Sequence, residues 1–184
     1  MRQTLVILSV LAALALPAGA GADQNDPDLD SLFDILKTSG APAEMRAAES
    51  LIWRAWMHHD NAAYDAMMRD GTRAMNEGNF DRAIEVFSEL VELAPDYAEA
   101  WNKRATVYFF KGDLEKSVED VDRTLALEPR HFGALSGLGQ IEMLRGNGEA
   151  AINAFEGALE YHPALPGLPE LIESLEEAVR GREL

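Results

Sequence analysis

The stretch AEAWNKRATVYFFKGDLEKSVEDVDRTLALEPRH, residues 98–131, decides the fold of this 184-residue chain. Apolar residues recur in it at helical spacing, Gly112-Asp113 interrupts them, and a second helical run ends at Pro129. The flanking sequences repeat these breaks at a step of 34 residues, with glycines at Gly78, Gly112 and Gly146 and prolines at Pro95, Pro129 and Pro163. A fixed period of this size predicts a stacked array of helix pairs, because a single pair cannot bury its own apolar face.

Each unit carries small residues where its two helices would cross. They are Gly71, Ala105 and Gly139 in the first helix and Ala83, Ser117 and Ala151 in the second. Such small side chains let two antiparallel helices pack closely, while the glycine between them supplies a left-handed turn and the proline ends the second helix. The spacing predicts helix pairs at about 63–77/80–93, 97–111/114–127 and 131–145/148–161.

The period, the glycines and the prolines resemble the tetratricopeptide repeat (TPR) family, whose units follow the pattern W-x2-L-G-x2-Y…A-x3-F…P. Trp101 and Tyr108 match this pattern in the central unit. Each unit also departs from the pattern. The first unit has Met67 at the Trp position and Asp70 at the Leu position, and the second has Arg104 at the Leu position. The third has Glu142 at the Tyr position and Gly148 at a position that is usually apolar. The resemblance implies an all-α fold, a right-handed superhelical array of antiparallel helix pairs, or TPR solenoid.

The rest of the chain divides around these repeats. The pair at 29–62 has apolar helical faces but lacks the repeat's glycine and proline, which favours an N-terminal helical cap or a degenerate half-array. Leu171, Ile172, Leu175 and Val179 predict a last amphipathic helix that caps the other end. The predicted order is signal peptide 1–22, disordered leader 23–28, N-terminal helical pair 29–62, repeats 64–97, 98–131 and 132–165, and C-terminal capping helix 166–184.

The N-terminus has the features of a secretory signal peptide. Arg2 precedes an apolar run from Leu5 to Leu16, and small residues follow at which cleavage after Ala22, or alternatively after Ala20, is expected. The run is shorter than the roughly 20 residues of a membrane span, so no span is expected once the signal is removed, although an uncleaved N-terminal anchor is the alternative. The sequence predicts an exported protein, periplasmic or alternatively secreted.

Composition excludes several kinds of site. The chain has no cysteine, which excludes disulfides, thiolate metal sites and cysteine nucleophiles. Its net charge is −16, and loss of residues 1–22 with their single base Arg2 would make it −17. So acidic a surface repels nucleic acid and anionic lipid, and it also keeps an exported protein soluble.

No residue pattern indicates catalysis. Adjacent side chains on a helix point about 100° apart, so His58 and His59 cannot easily bind one metal ion, and no other ligand spacing is present. There is no GxSxG motif and no P-loop. Glu119 and Asp120 are expected on the outward, solvated face of a second helix. We therefore predict no enzymatic activity, no catalytic or metal-binding residues and no cofactor.

The resemblance implies that the first helices of the repeats line a concave groove in which a partner binds. The implied groove residues are Met68, Thr72, Met75, Asn102, Lys103, Thr106, Phe109, Ser136, Gln140 and Met143, with Asp65 and Glu99 at neighbouring groove positions. Met75, Phe109 and Met143 recur at the 34-residue step and predict an apolar ladder for a partner segment, unless they only pack between successive helices.

One kind of partner is disfavoured. TPR co-chaperones hold the C-terminal carboxylate of heat-shock chaperones with lysines and asparagines. The matching positions here are Met68, Thr72, Lys103, Gly133 and Gly137, of which only Lys103 is basic. The sequence thus predicts a non-enzymatic protein-protein interaction module or scaffold of the cell envelope, whose partner is another envelope protein or peptide. The alternatives are a small apolar ligand or cofactor in the groove, or self-association.

Overall fold

The computed structural model describes residues 26–182, so the predicted signal peptide and most of the predicted leader lie outside the described residues. The described part is helical throughout. Its helices are α1 Leu29–Thr38, α2 Pro42–Trp56, α3 Ala62–Asn76, α4 Phe80–Leu93, α5 Ala98–Lys111, α6 Leu114–Leu127, α7 Phe132–Leu144, α8 Gly148–Tyr161 and α9 Leu168–Arg182. The three repeats are the antiparallel pairs α3/α4, α5/α6 and α7/α8, which confirms the predicted all-α solenoid.

The turn inside each pair forms for the reason that the sequence suggested. Gly112 follows α5 with a φ of 78°, in the left-handed region where a side chain is strained, and its amide nitrogen donates to the carbonyl oxygen of Phe109. The same conformation recurs at Gly78 and Gly146. In the first pair the side chain of Asn79 then caps α4 by accepting a hydrogen bond from the amide of Arg82.

Close packing within the pairs also follows the predicted small residues. A Cβ atom added to Gly71 would lie 2.6 Å from the ring of Phe87, and one added to Gly139 would lie 2.3 Å from the ring of Phe155. Ser117 uses its small hydroxyl differently, donating a 2.8 Å hydrogen bond to the carbonyl oxygen of Ala105. The second helix of each pair therefore approaches the first more closely than a larger side chain would permit.

The N-terminal hairpin, α1 and α2, shares a hydrophobic core with the third repeat. Phe33 of α1 and Trp56 of α2 pack with Phe132 of α7 and Phe155 of α8, and this core contains no residue of α3 or α4. The turn between α2 and α3 directs this path, since Asp65 accepts a 2.8 Å hydrogen bond from the amide of His59 and lies 2.9 Å from His58 Nδ1. The hairpin therefore crosses to the far end of the array and packs on the third repeat.

Helix α9 packs on the last repeat. Leu168 and Ile172 join the same core as the hairpin. Gly148, which departs from the family pattern, stands where a Cβ would lie 2.7 Å from the side chain of Val179, so α9 fills the space that this glycine leaves. None of the described helices is both long and apolar enough to cross a lipid bilayer.

Candidate partner-binding groove

The groove face is the side of α3, α5 and α7 that carries the predicted groove residues. Helix α5 lies between the other two and contacts both, so the three rows are adjacent. The rows are Met68, Thr72 and Met75 on α3, Asn102, Lys103, Thr106 and Phe109 on α5, and Ser136, Gln140 and Met143 on α7. The face divides into a closed half at the start of α5 and α7 and an open half towards their ends.

Trp53 and Trp56 of the hairpin cover the closed half. Trp56 stacks on the imidazole of His131 at 4.0 Å between ring centroids, and Trp53 meets the same ring edge-on. A Cβ atom on Gly133 would lie 2.6 Å from Trp53, which occupies the space in front of this glycine. The ammonium of Lys103 lies 5.8 Å from the Trp53 ring centroid, within cation–π range. This part of the groove face is therefore filled by the chain itself.

A buried charge cluster centred on Glu99 lies beneath these tryptophans. Glu99 Oε1 is 2.9 Å from Lys103 Nζ, and Glu99 Oε2 is 2.8 Å from His131 Nε2 and accepts a 2.9 Å hydrogen bond from Asn102 Nδ2. Burial by itself raises the pKa of the Glu99 carboxyl, but Lys103 and His131 together outweigh it and lower that pKa to about 2. The cluster joins α5 to the start of α7. The sequence pattern predicted Glu99 only as a groove position and gave no role to His131.

The cluster decides what Lys103 can bind. Its ammonium is already paired with Glu99 and half-buried beside Trp53. The other clamp positions at this end, Gly133 and Gly137, have no side chain. A partner's C-terminal carboxylate would meet no available cation among these residues, which agrees with the expectation that a carboxylate clamp is absent.

The open half exposes apolar side chains. Phe110 and Leu144 are 56% and 66% exposed, and Met143 beside Leu144 is 37% exposed. Phe110 and Leu144 are separated by the 34-residue step, so the repeat places them at matching ends of α5 and α7. Neither residue was predicted from the sequence, although Phe110 directly follows Phe109 and Leu144 directly follows Met143 of the predicted ladder.

The predicted ladder is divided between packed and exposed side chains. Met75 is half-buried against the core of the first repeat, and Phe109 is half-buried against the core of α5–α7. Met143 is exposed. Met68, also predicted in the groove, is only 1% exposed and belongs to the first-repeat core, which also contains Phe87 and Tyr97.

The predicted polar groove residues mostly bond within their own helices. The hydroxyls of Thr106 and Ser136 donate to the carbonyl oxygens of Asn102 and Phe132, at 2.9 and 2.8 Å. Thr72 Oγ1 is buried and has no hydrogen-bond partner. Gln140 is exposed in the open half. Of the predicted donors and acceptors, Gln140 is thus the one best placed to meet a partner.

A cavity of about 240 Å³ lies between α5, α6 and α7 and extends from Asn102 and Gly133, at the border of the closed half, to Phe110 in the open half. Its floor is formed by buried side chains, and Phe110 stands exposed at its rim. Its lining is Asn102, Ala105, Thr106, Phe109, Phe110, Ser117, Val121, Gly133, Gly137, Gln140 and Ile141, none of which is charged.

The expectation that Asp120 is solvated is wrong. Its two carboxylate oxygens accept hydrogen bonds of 2.7 and 2.8 Å from the guanidinium of Arg104, and Asp120 is buried while Glu119 is exposed. Arg104 stands where the repeat pattern has leucine, so its long side chain reaches α6 and needs an anion there. An arginine at a position that is usually leucine was the feature of the sequence that could have predicted this ion pair.

The described residues contain no group of three His, Asp or Glu side chains placed to hold a metal ion. His58 and His59 have other contacts: His58 pairs with Asp65, and the ring of His59 lies edge-on to those of Tyr64 and Tyr97. Both histidines therefore hold the turn between α2 and α3.

The tetratricopeptide repeat family model matches residues 69–123 and 102–169. A TPR repeat-containing protein of Rhizobium etli is 35% identical over 153 residues, which cover 83% of this chain and 75% of that protein.

Two solved structures share the fold. The Sgt2 TPR domain from Aspergillus fumigatus has a TM-score of 0.62 at 21% identity, covering 67% of this chain and 83% of that domain. The first TPR of Spaghetti (RPAP3), bound to the HSP90 peptide SRMEEVD, has a TM-score of 0.62 at 20% identity, covering 67% of this chain and 98% of that one. With the 34-residue period, the helix pairs and the matched family model in agreement, the chain belongs to the tetratricopeptide repeat family.

Proposed function

We propose that this protein is a non-enzymatic interaction module that holds an extended segment of a partner protein against the open half of its groove face. The observation that carries the proposal is the exposure of Phe110 at the rim of an uncharged cavity, together with the exposure of Met143 and Leu144 at the end of the first helix of the next repeat. Exposed apolar side chains that lie together on the surface of a soluble protein mark an interaction site.

The comparisons support binding of a peptide but not the same peptide. The RPAP3 domain, which shares this fold, is bound to a peptide that ends in Glu-Glu-Val-Asp. In this chain Lys103 is neutralised by Glu99, and Gly133 and Gly137 provide no cation. We propose a partner segment that is uncharged or apolar where it meets the cavity.

We also propose that the protein works in the cell envelope, as the signal-like sequence at 1–22 suggests. A small-molecule cofactor in the groove is less well supported, because the cavity of about 240 Å³ is smaller than the roughly 300–1,000 Å³ typical of ligand pockets.

The proposal is tested by photo-crosslinking in cells. A photoreactive amino acid is placed at position 110 or 144, and as a matched control at position 93, where Leu93 is 51% exposed on α4 away from the groove face. We expect one crosslinked partner from positions 110 and 144 and none from position 93. Crosslinks of equal yield from all three positions, or from position 93 alone, would place the interface elsewhere.

A further inference from the structure

Gly137 of α7 borders a space that no side chain of the fold fills. A Cβ atom there would have no neighbour within 4 Å, whereas one on Gly139, in the same helix, would collide with Phe155. Gly139 is thus required for the packing of α7 on α8, but Gly137 is not. A glycine inside a helix is destabilising relative to alanine, so packing does not account for Gly137.

The deeper walls around Gly137 offer few polar groups. Ser117, Thr106 and Asn102 each already donate a side-chain hydrogen bond inside the chain, to Ala105, Asn102 and Glu99 respectively. The floor residues Ala105, Val121 and Ile141 are apolar and buried. A polar group that reached this floor would lose hydrogen bonds to water and gain few in return, whereas an apolar side chain would lose none. The cavity therefore favours an apolar occupant.

Its volume of about 240 Å³ indicates how large that occupant is. A cavity of about 150 Å³ suffices to hold benzene, and drug-sized ligands need about 300 Å³ or more. The space between these limits suits one leucine, methionine or phenylalanine side chain. Phe110 at the rim and the exposed amide of Gln140 border the opening, where the backbone of an extended segment would pass.

We infer that the cavity beside Gly137 is a specificity pocket that takes one large apolar side chain from the partner segment, flanked by residues without carboxylates. This inference rests on the proposed function and names the chemistry of the partner. Charge favours it: the lining is uncharged and the chain has a net charge of −16, so an acidic segment would be repelled and an apolar anchor would not. Gly137 is then the residue that admits the anchor.

The test uses a phage library of random dodecapeptides panned against the purified protein. We expect the selected peptides to share one Leu, Met or Phe without flanking acids, and changing it to alanine should weaken binding at least tenfold. Gly137→Leu should fill the pocket and weaken binding at least tenfold. Gly181→Leu is the matched control, since a Cβ at that helical glycine also has no neighbour within 4 Å, and it should bind as the wild type does.

A Phe110→Glu, Leu144→Glu variant separates the two proposals. If it abolishes binding and Gly137→Leu does not, the pocket inference is wrong and the proposed function stands. If it has no effect, or if no peptide is selected, both fail. Selected peptides that end in an acidic motif would also overturn the pocket. Circular dichroism checks that each variant folds. If Gly137→Leu does not fold, Gly137→Ala is used in its place, and we expect it to lose part of the binding.

Discussion

Glu99 is an ionised carboxylate without access to water, and its neighbours account for its charge. Lys103, His131 and Asn102 supply all of its short polar contacts, so the group is stable only while they stay in place. Removing one member of a buried ion pair costs far more than removing an exposed one, because the remaining charge stays desolvated. At the residue scale, this cluster is where stability and pH are coupled.

Stability should fall as acid protonates Glu99. Its folded pKa of about 2 lies below the ordinary value near 4.3, so its contribution is complete above about pH 4.3 and is lost as pH falls towards 2. We expect Glu99→Gln to cost about 3 kcal/mol at pH 7 and less at pH 3. Urea unfolding at both values measures this. Glu119→Gln, at an exposed position, is the control; an equal cost of Glu99→Gln at both pH values would contradict the assignment.

Two glycines of α7 should respond oppositely to alanine. Gly139→Ala drives a methyl group into the ring of Phe155 and should lower stability by about 1–3 kcal/mol. Gly137→Ala enters open space and should raise stability by up to about 1 kcal/mol, the difference in helix propensity. The melting temperatures of both variants, measured by thermal unfolding, test this prediction. The explanation from packing fails if both substitutions change the melting temperature in the same direction.

The N-terminal hairpin is the element whose position the sequence did not reveal. Helix boundaries, turns and small crossing residues follow from local patterns, and the predicted repeat helices agree with the observed ones to within one or two residues. The path of the hairpin depends on rings far apart in the chain, Trp56 with His131 and Phe33 with Phe132. Hydrophobic periodicity indicates that a face is buried but not against which helix. For the same reason the closed half of the groove was not foreseen.

Trp56→Ala should detach the hairpin from the third repeat. Trp56 is fully buried, so its removal should cost about 3–5 kcal/mol. Amide exchange should then quicken in the first turn of α7, which Trp56 covers, before it changes in α3. Trp101→Ala, at a half-buried tryptophan of α5 outside the hairpin core, is the comparison. An equal increase of the amide exchange rate in α3 and α7 of the Trp56→Ala variant would show that the hairpin does not protect α7 selectively.

At the scale of the whole molecule, the chain combines a strongly acidic sequence with an uncharged cavity lining in the open half of its groove face. The net charge of −16 opposes association of like copies, while contacts of a partner with the proposed binding surface would not depend on charge. Binding through that surface should therefore depend only weakly on ionic strength. The location of the protein remains a prediction from residues 1–22.

Export should leave a shortened chain. If the signal peptide is cleaved as predicted, the mature protein begins at Asp23, and mass spectrometry of the protein from an osmotic-shock fraction should find this N-terminus. A chain that begins at Gly21 would indicate the alternative site after Ala20. Recovery of the intact chain from the membrane fraction would instead support an uncleaved anchor.

The hairpin has a mechanical consequence for the whole solenoid. The hairpin is joined to the first repeat by the turn that Asp65 of α3 holds, and it packs on α7 and α8 of the third repeat. Asp30 also pairs with Arg130, just before α7. The hairpin thus connects the first repeat to the third. Each unit of a repeat array contacts only its neighbours, so a hairpin that links the two ends of this array limits changes in its curvature. Phe110 and Leu144 are then held at a set spacing in the free protein, and the proposed association with a partner would cost less conformational entropy.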